Sequence, residues 1–150
     1  MSIKLKTEAG VLEFIVKNMK AKDSFFDFDI VSIWYDKYSG CLPADFFCSL
    51  NFDDINRLVD YFYRHKLSVL TNQVNESLVY MPLESDFQIR FMAGEAESME
   101  DGYFSIGFLF NLGSSCEESS NVYFGFEAGI DFLAVDDFCV SLKELVTVEQ

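Results

Sequence analysis

Basic residues are scarce in this chain. Eleven Lys and Arg stand against 25 Asp and Glu, with one His, two Pro and one Trp in 150 residues. So few bases argue against ordinary nucleic-acid binding, which takes a surplus of Lys and Arg. No apolar run approaches the roughly 18 residues of a membrane helix. The opening Met1-Ser2-Ile3-Lys4-Leu5-Lys6 lacks the apolar stretch of a secretory signal, so a cytoplasmic location with reduced thiols is expected.

Several catalytic and metal-binding signatures are missing as well. Cys41, Cys48, Cys116 and Cys139 form no C-x-x-C pair, and the lone His65 stands far in sequence from most of them. A zinc site of the usual ligand spacing is therefore not expected. There is no G-x-S-x-G elbow for a serine nucleophile. The D-x-[DN]-x-[DN]-G calcium loop is also absent, and Asp27-x-Asp29 and Glu95-x-Glu97 are too common to replace it. No cofactor is implied. Cys48 and Cys139 lie in apolar runs and read as buried, whereas Cys41 and Cys116 lie in turn-like stretches.

What the chain does have is apolar and aromatic residues. Half its residues are hydrophobic, and 17 phenylalanines and 7 tyrosines are present. That composition excludes disorder and gives enough apolar surface for one domain over residues 1–150. The charge is lopsided. Residues 1–66 hold nine bases and ten acids, residues 67–150 two bases and fifteen acids, so the second part carries −13 of the net −14. The densest run is Glu95-Ala96-Glu97-Ser98-Met99-Glu100-Asp101, followed by Glu117-Glu118 and Asp136-Asp137. Such a field speeds encounter with a cationic partner.

Alternation of period two marks the strands. Segments at 3–6, 11–18, 25–35, 44–50, 78–81, 86–92, 103–112 and 122–127 read as strands, with a further one at 129–135. Phe87, Ile89 and Phe91 share one face, as do Phe104, Ile106, Phe108 and Phe110. A bulge is expected near Ile30. Residues 94–102 read as an acidic hairpin loop and 113–121 as a second polar loop. Asn51 opens the clearest helix, with Asp53 and Asp54 in its first turn and Ile55, Leu58, Val59 and Phe62 as its apolar stripe. Arg64, His65 and Lys66 read as its positively charged end. Asp136 or Asp137 reads as the cap of a final helix. No internal repeat is visible. These readings predict an α+β fold: a largely antiparallel, curled sheet of about eight strands, one central helix packed on it and a shorter C-terminal helix.

The order of these features carries a resemblance. An N-terminal hairpin (3–18) leads to an aromatic strand (25–35). Then comes Phe46-Phe47-Cys48-Ser49-Leu50-Asn51-x-x-Asp54-x-x-x-Leu58-Val59-x-x-Phe62, followed by Phe87-x-Ile89-x-Phe91 and Tyr103-x-x-Ile106-x-Phe108-x-Phe110. Together they resemble bacterial immunity proteins of polymorphic toxin systems, including contact-dependent growth inhibition. The resemblance implies no catalytic residues. It implies a neutraliser that covers a toxin's active site, and the charge favours a basic toxin, a nuclease in particular. Candidate contacts are Glu95, Glu97, Glu100, Asp101, Glu117 and Glu118, with Tyr103 as aromatic anchor. Two alternatives stand beside this one. The first is a non-catalytic adaptor that pairs with its own copy, where the immunity reading expects a monomer or weak homodimer. The second is a carboxylate-based, metal-dependent enzyme, supported only by the number of acids.

Overall fold

Four antiparallel strands in meander order come first: β1 (Ser2–Thr7), β2 (Gly10–Lys20), β3 (Phe25–Trp34) and β4 (Asp45–Asn51). Helix α1 (Phe52–Leu70) follows. The order then recurs with β5 (Val79–Tyr80), β6 (Phe87–Ser98), β7 (Asp101–Asn111) and β8 (Tyr123–Asp131), and helix α2 (Phe132–Glu149) ends it. The computed structural model describes residues 1–20, 25–41, 45–113 and 121–149. The α+β class expected from the strand periodicity is the one observed, with the strands divided between two sheets of four. Among the described residues, no helix is long and apolar enough to cross a membrane.

Four strands and a helix thus occur twice, a repeat the sequence does not disclose. The two helix starts are equivalent in position. Asn51 Oδ1 accepts from the Asp54 amide at 2.7 Å, and eighty residues on Asp131 Oδ1 accepts from the Ala134 amide at 2.7 Å. The same step carries the buried Ile55, Leu58, Val59 and Phe62 onto the buried Val135, Phe138, Cys139 and Leu142. The shared property is burial at helical spacing, and few residue identities are retained, which is why the repeat escapes a reading by eye.

The helix boundaries correct two expectations. Asp131 caps α2, ahead of Asp136 and Asp137, and 129–135 is the junction of β8 and α2 instead of a strand of its own. Ile130 and Phe132 gave that segment its strand-like look. Both are buried, one from the last turn of the sheet and one from the first of the helix. Helix α1 does not end at Lys66 either. It continues to Leu70, and His65 and Lys66 are buried within it, because they occupy the stripe that Phe62 begins and Val69 completes. The bulge also differs. The β2–β3 register shifts between Val16 and Asn18 on β2, while Ile30 stays in regular register opposite Phe14.

Both sheets and both helices share one hydrophobic core. Phe14 of β2 meets Phe87 of β6 and Phe138 of α2, with ring centroids 6.3 and 5.5 Å apart. Helix α1 packs on β6 and β7, and α2 on β1 as well as β7 and β8. Each helix therefore buries strands of the other repeat. The sheets also approach through β1 and β8, where the Glu8 amide donates to the Gly129 carbonyl at 2.9 Å. This junction sets the candidate surface.

Candidate functional site

The acidic segment at 94–102 is mostly strand. β6 extends to Ser98 and β7 begins at Asp101, leaving only Met99 and Glu100 as the turn. A long hairpin holds its acids at fixed spacing, which a loop would not. Two register shifts shape it, one between Phe91 and Gly94 and one between Ala96 and Ser98. Such bulges re-aim a hairpin. Gly94 permits the first, because a β-carbon there would run into the Tyr103 carbonyl.

Residues directly opposite each other in an antiparallel pair share a face. Glu95 lies opposite Tyr103, and Tyr103 opposite Asp131. A row Glu95–Tyr103–Asp131 therefore crosses three strands on the exposed side, with Tyr103 flanked by two carboxylates. Tyr103 is 52% exposed, a large aromatic surface left in water. Glu97 and Asp101 join Glu95, Tyr103 and Asp131 around an open groove of about 690 Å³. Glu100 is exposed at the hairpin turn, where its amide donates to Ser98 Oγ at 3.2 Å. Glu117, Glu118 and Cys116 lie outside the described residues.

Tyr103 also lines a second depression of about 380 Å³, with Tyr35, Leu133, Glu8, Asp131 and Asp137. Tyr35 and Leu133 are 53% and 66% exposed. Exposed apolar surface gathered around Tyr and rimmed by polar groups is the composition of a protein interface. Among the described residues, the carboxylates over the two depressions together are Glu8, Glu95, Glu97, Asp101, Asp131 and Asp137, and the one base is Lys6. Sequence reasoning left Glu8, Tyr35, Asp131, Leu133 and Asp137 out of the candidate contacts, because the β1–β8 junction brings them there from three distant segments. The local signals were Asp131, whose spacing to Ala134 fits a helix cap, and Asp137, which belongs to the acidic run Asp136-Asp137.

The titratable groups with displaced pKa values lie elsewhere, within the core or at its margin. His65 is buried, its Nε2–H donates to the Met92 carbonyl at 2.7 Å, and desolvation lowers its pKa. Burial raises the Cys48 thiol, with nearby Asp86 and Asp27 adding to the effect. Burial also pushes the Cys139 thiol up to about 12. Both thiols hold their protons at neutral pH and behave as small hydrophobes. Cys41 is exposed. Asp86 is raised by burial despite accepting from the Ser49 amide at 2.9 Å. Among the described residues, no three His, Cys, Asp or Glu side chains converge as metal ligands.

Compared with known protein families and with curated proteins, the chain matches none.

Proposed function

We propose that this protein is a neutralising partner for a basic protein domain, as an immunity protein is for its toxin, and that it docks through the Glu95–Tyr103–Asp131 face. The observation that carries the reading is the pairing on one surface, among the described residues, of exposed aromatic side chains with six carboxylates and one base. Charge of one sign steers encounter, and tyrosine supplies contact area at low entropic cost. A toxin nuclease fits as the partner because a site built to hold phosphate is cationic. The exposed Tyr35, Tyr103 and Leu133 would supply the apolar centre of the contact and the carboxylates its rim.

The test is capture from the native cell at low salt with the wild-type protein and with the E95K/E97K/D101K variant, eluting at high salt. The expected result is a basic domain held by the wild type and lost by the variant. That domain should arrest growth when expressed alone and cease to do so when this protein is co-expressed. Capture that ignores the charge reversal removes this face from the interface. A captured domain whose toxicity is unaffected by co-expression removes the neutralising role.

A further inference from the structure

The face continues past Glu8 into a third pocket of about 300 Å³, between the β1–β2 turn, the end of β3 and β8. Three of its walls are aromatic: Trp34, Tyr38 and Phe126. Glu8 and Glu127 supply two exposed carboxylates, and no base lines the pocket among the described residues. Trp34 and Phe126 meet edge to face, with centroids 4.9 Å apart, which fixes both rings. The Lys37 ammonium stands 5.0 Å from the Tyr38 ring centroid, so an incoming cation must share or displace that contact and depends chiefly on Glu8, Glu127 and the other two rings.

Aromatic rings and carboxylates lining one concavity favour the same ligand for two reasons. The ring quadrupole attracts a positive charge within about 6 Å of the centroid. Carboxylates attract it through Coulomb terms that a partly enclosed site screens less than open water does. A neutral apolar ligand gains only from the rings, and an anion is repelled. We propose that this pocket receives the ammonium or guanidinium end of a lysine or arginine side chain carried by the basic partner. The inference rests on the docking role given to the neighbouring face. What selects a side chain over a free cation is continuity: Glu8 borders both this pocket and the groove holding Tyr35 and Tyr103. A chain lying in the groove can therefore turn one basic residue into the pocket.

Trp34 is the one tryptophan of the protein, so its fluorescence reports on this pocket without labelling. The probes are N-acetyl-lysine methylamide, its analogue without the ammonium, N-acetyl-norleucine methylamide, and tetramethylammonium, all at constant ionic strength. The lysine amide should change the emission saturably and bind roughly tenfold more tightly than the norleucine amide. That preference should fall to near parity in the E8Q/E127Q variant, which alters only exposed groups and keeps the fold. Equal binding of the lysine and norleucine amides overturns the inference. Tetramethylammonium binding tenfold more tightly than the lysine amide overturns the choice of occupant in favour of a free cation. A lysine preference combined with failed capture of a basic domain leaves the pocket standing and the toxin reading fallen. Successful capture without a lysine preference does the reverse.

Discussion

The Glu8 amide donates to the Gly129 carbonyl at 2.9 Å, and the Glu8 carboxylate fills the space beside Gly129 that a β-carbon would take. Its Cδ and Oε2 would stand 2.8 Å from such a carbon. One residue thus ties the β1–β2 turn to β8 and sets a carboxylate between two depressions of the acidic face. Bareness of Gly129 is what lets the side chain lie flat there.

The G129A variant should therefore displace the flexible Glu8 carboxylate and cost about 0.5 kcal/mol of stability. In an E8A background the same change should cost less, because the three atoms nearest the added methyl all belong to Glu8. Urea unfolding of the two single variants and the double variant measures the coupling. Additive effects would mean that Glu8 does not occupy that space.

A second pair joins a buried base to a partly exposed acid. Lys66 is 2% exposed, and its Nζ donates to Asp136 Oδ1 at 2.5 Å, with the Phe132 ring 5.1 Å away. Removing one partner strands the other charge. D136A should cost about 2–4 kcal/mol, less than a fully enclosed pair would, because Asp136 still reaches solvent. K66M should cost less than D136A, and K66M/D136A should recover much of the loss. Thermal or urea unfolding of the three variants decides this, and a double variant no more stable than D136A would refute it.

On the acidic face the two kinds of residue should separate kinetically. Y103A removes the exposed anchor and should raise the dissociation rate of the captured partner more than tenfold, about 2 kcal/mol. E100Q removes a charge at the hairpin turn and should slow association while flattening its salt dependence, with little change in dissociation. Surface plasmon resonance at two salt concentrations distinguishes them. Identical effects of both variants would deny Tyr103 an anchoring role.

The strands were legible because burial follows alternation: Phe104, Ile106, Phe108 and Phe110 are all buried, as their spacing requires. The start of α1 was legible for a local reason, since Asn51 and Asp54 cap each other within three residues. Its end was not. His65 and Lys66 look like a charged terminus, yet Met92 and Asp136 come from elsewhere in the fold to satisfy them. The acidic hairpin was legible in composition, and Glu95 and Tyr103 could be singled out from it. Their partners on the surface could not: Asp131 reaches Tyr103 by β7–β8 pairing, while Glu8 and Tyr35 arrive where the two sheets approach. The approach of the β1–β2 turn to β8 leaves no mark on either segment alone.

Stability should respond to acid through two core groups of opposite sign. Burial lowers the His65 pKa, so the folded protein binds fewer protons there than the unfolded chain. That contribution is fully present above the ordinary histidine value of about 6.5 and is lost as pH falls from there toward the lowered folded value. Asp86 works the other way. Burial raises its pKa, with Glu84 and Asp54 adding to the shift against the Ser49 amide, so the folded state binds the extra proton. Its charge weakens the fold at neutral pH, and that penalty is relieved as pH falls through the raised value. D86N should therefore be neutral or slightly stabilising at pH 7, by up to about 1 kcal/mol, because an amide oxygen still accepts from Ser49 and no charge is buried. Its advantage over the wild type should shrink as the wild-type carboxyl takes up its proton. H65Q should remove the loss that begins near pH 6.5, whatever its own cost at pH 7. Urea unfolding of the three proteins from pH 4 to pH 7.5 resolves the two windows. An H65Q profile parallel to the wild type between pH 5 and 6.5 would show that His65 does not titrate differently in the fold.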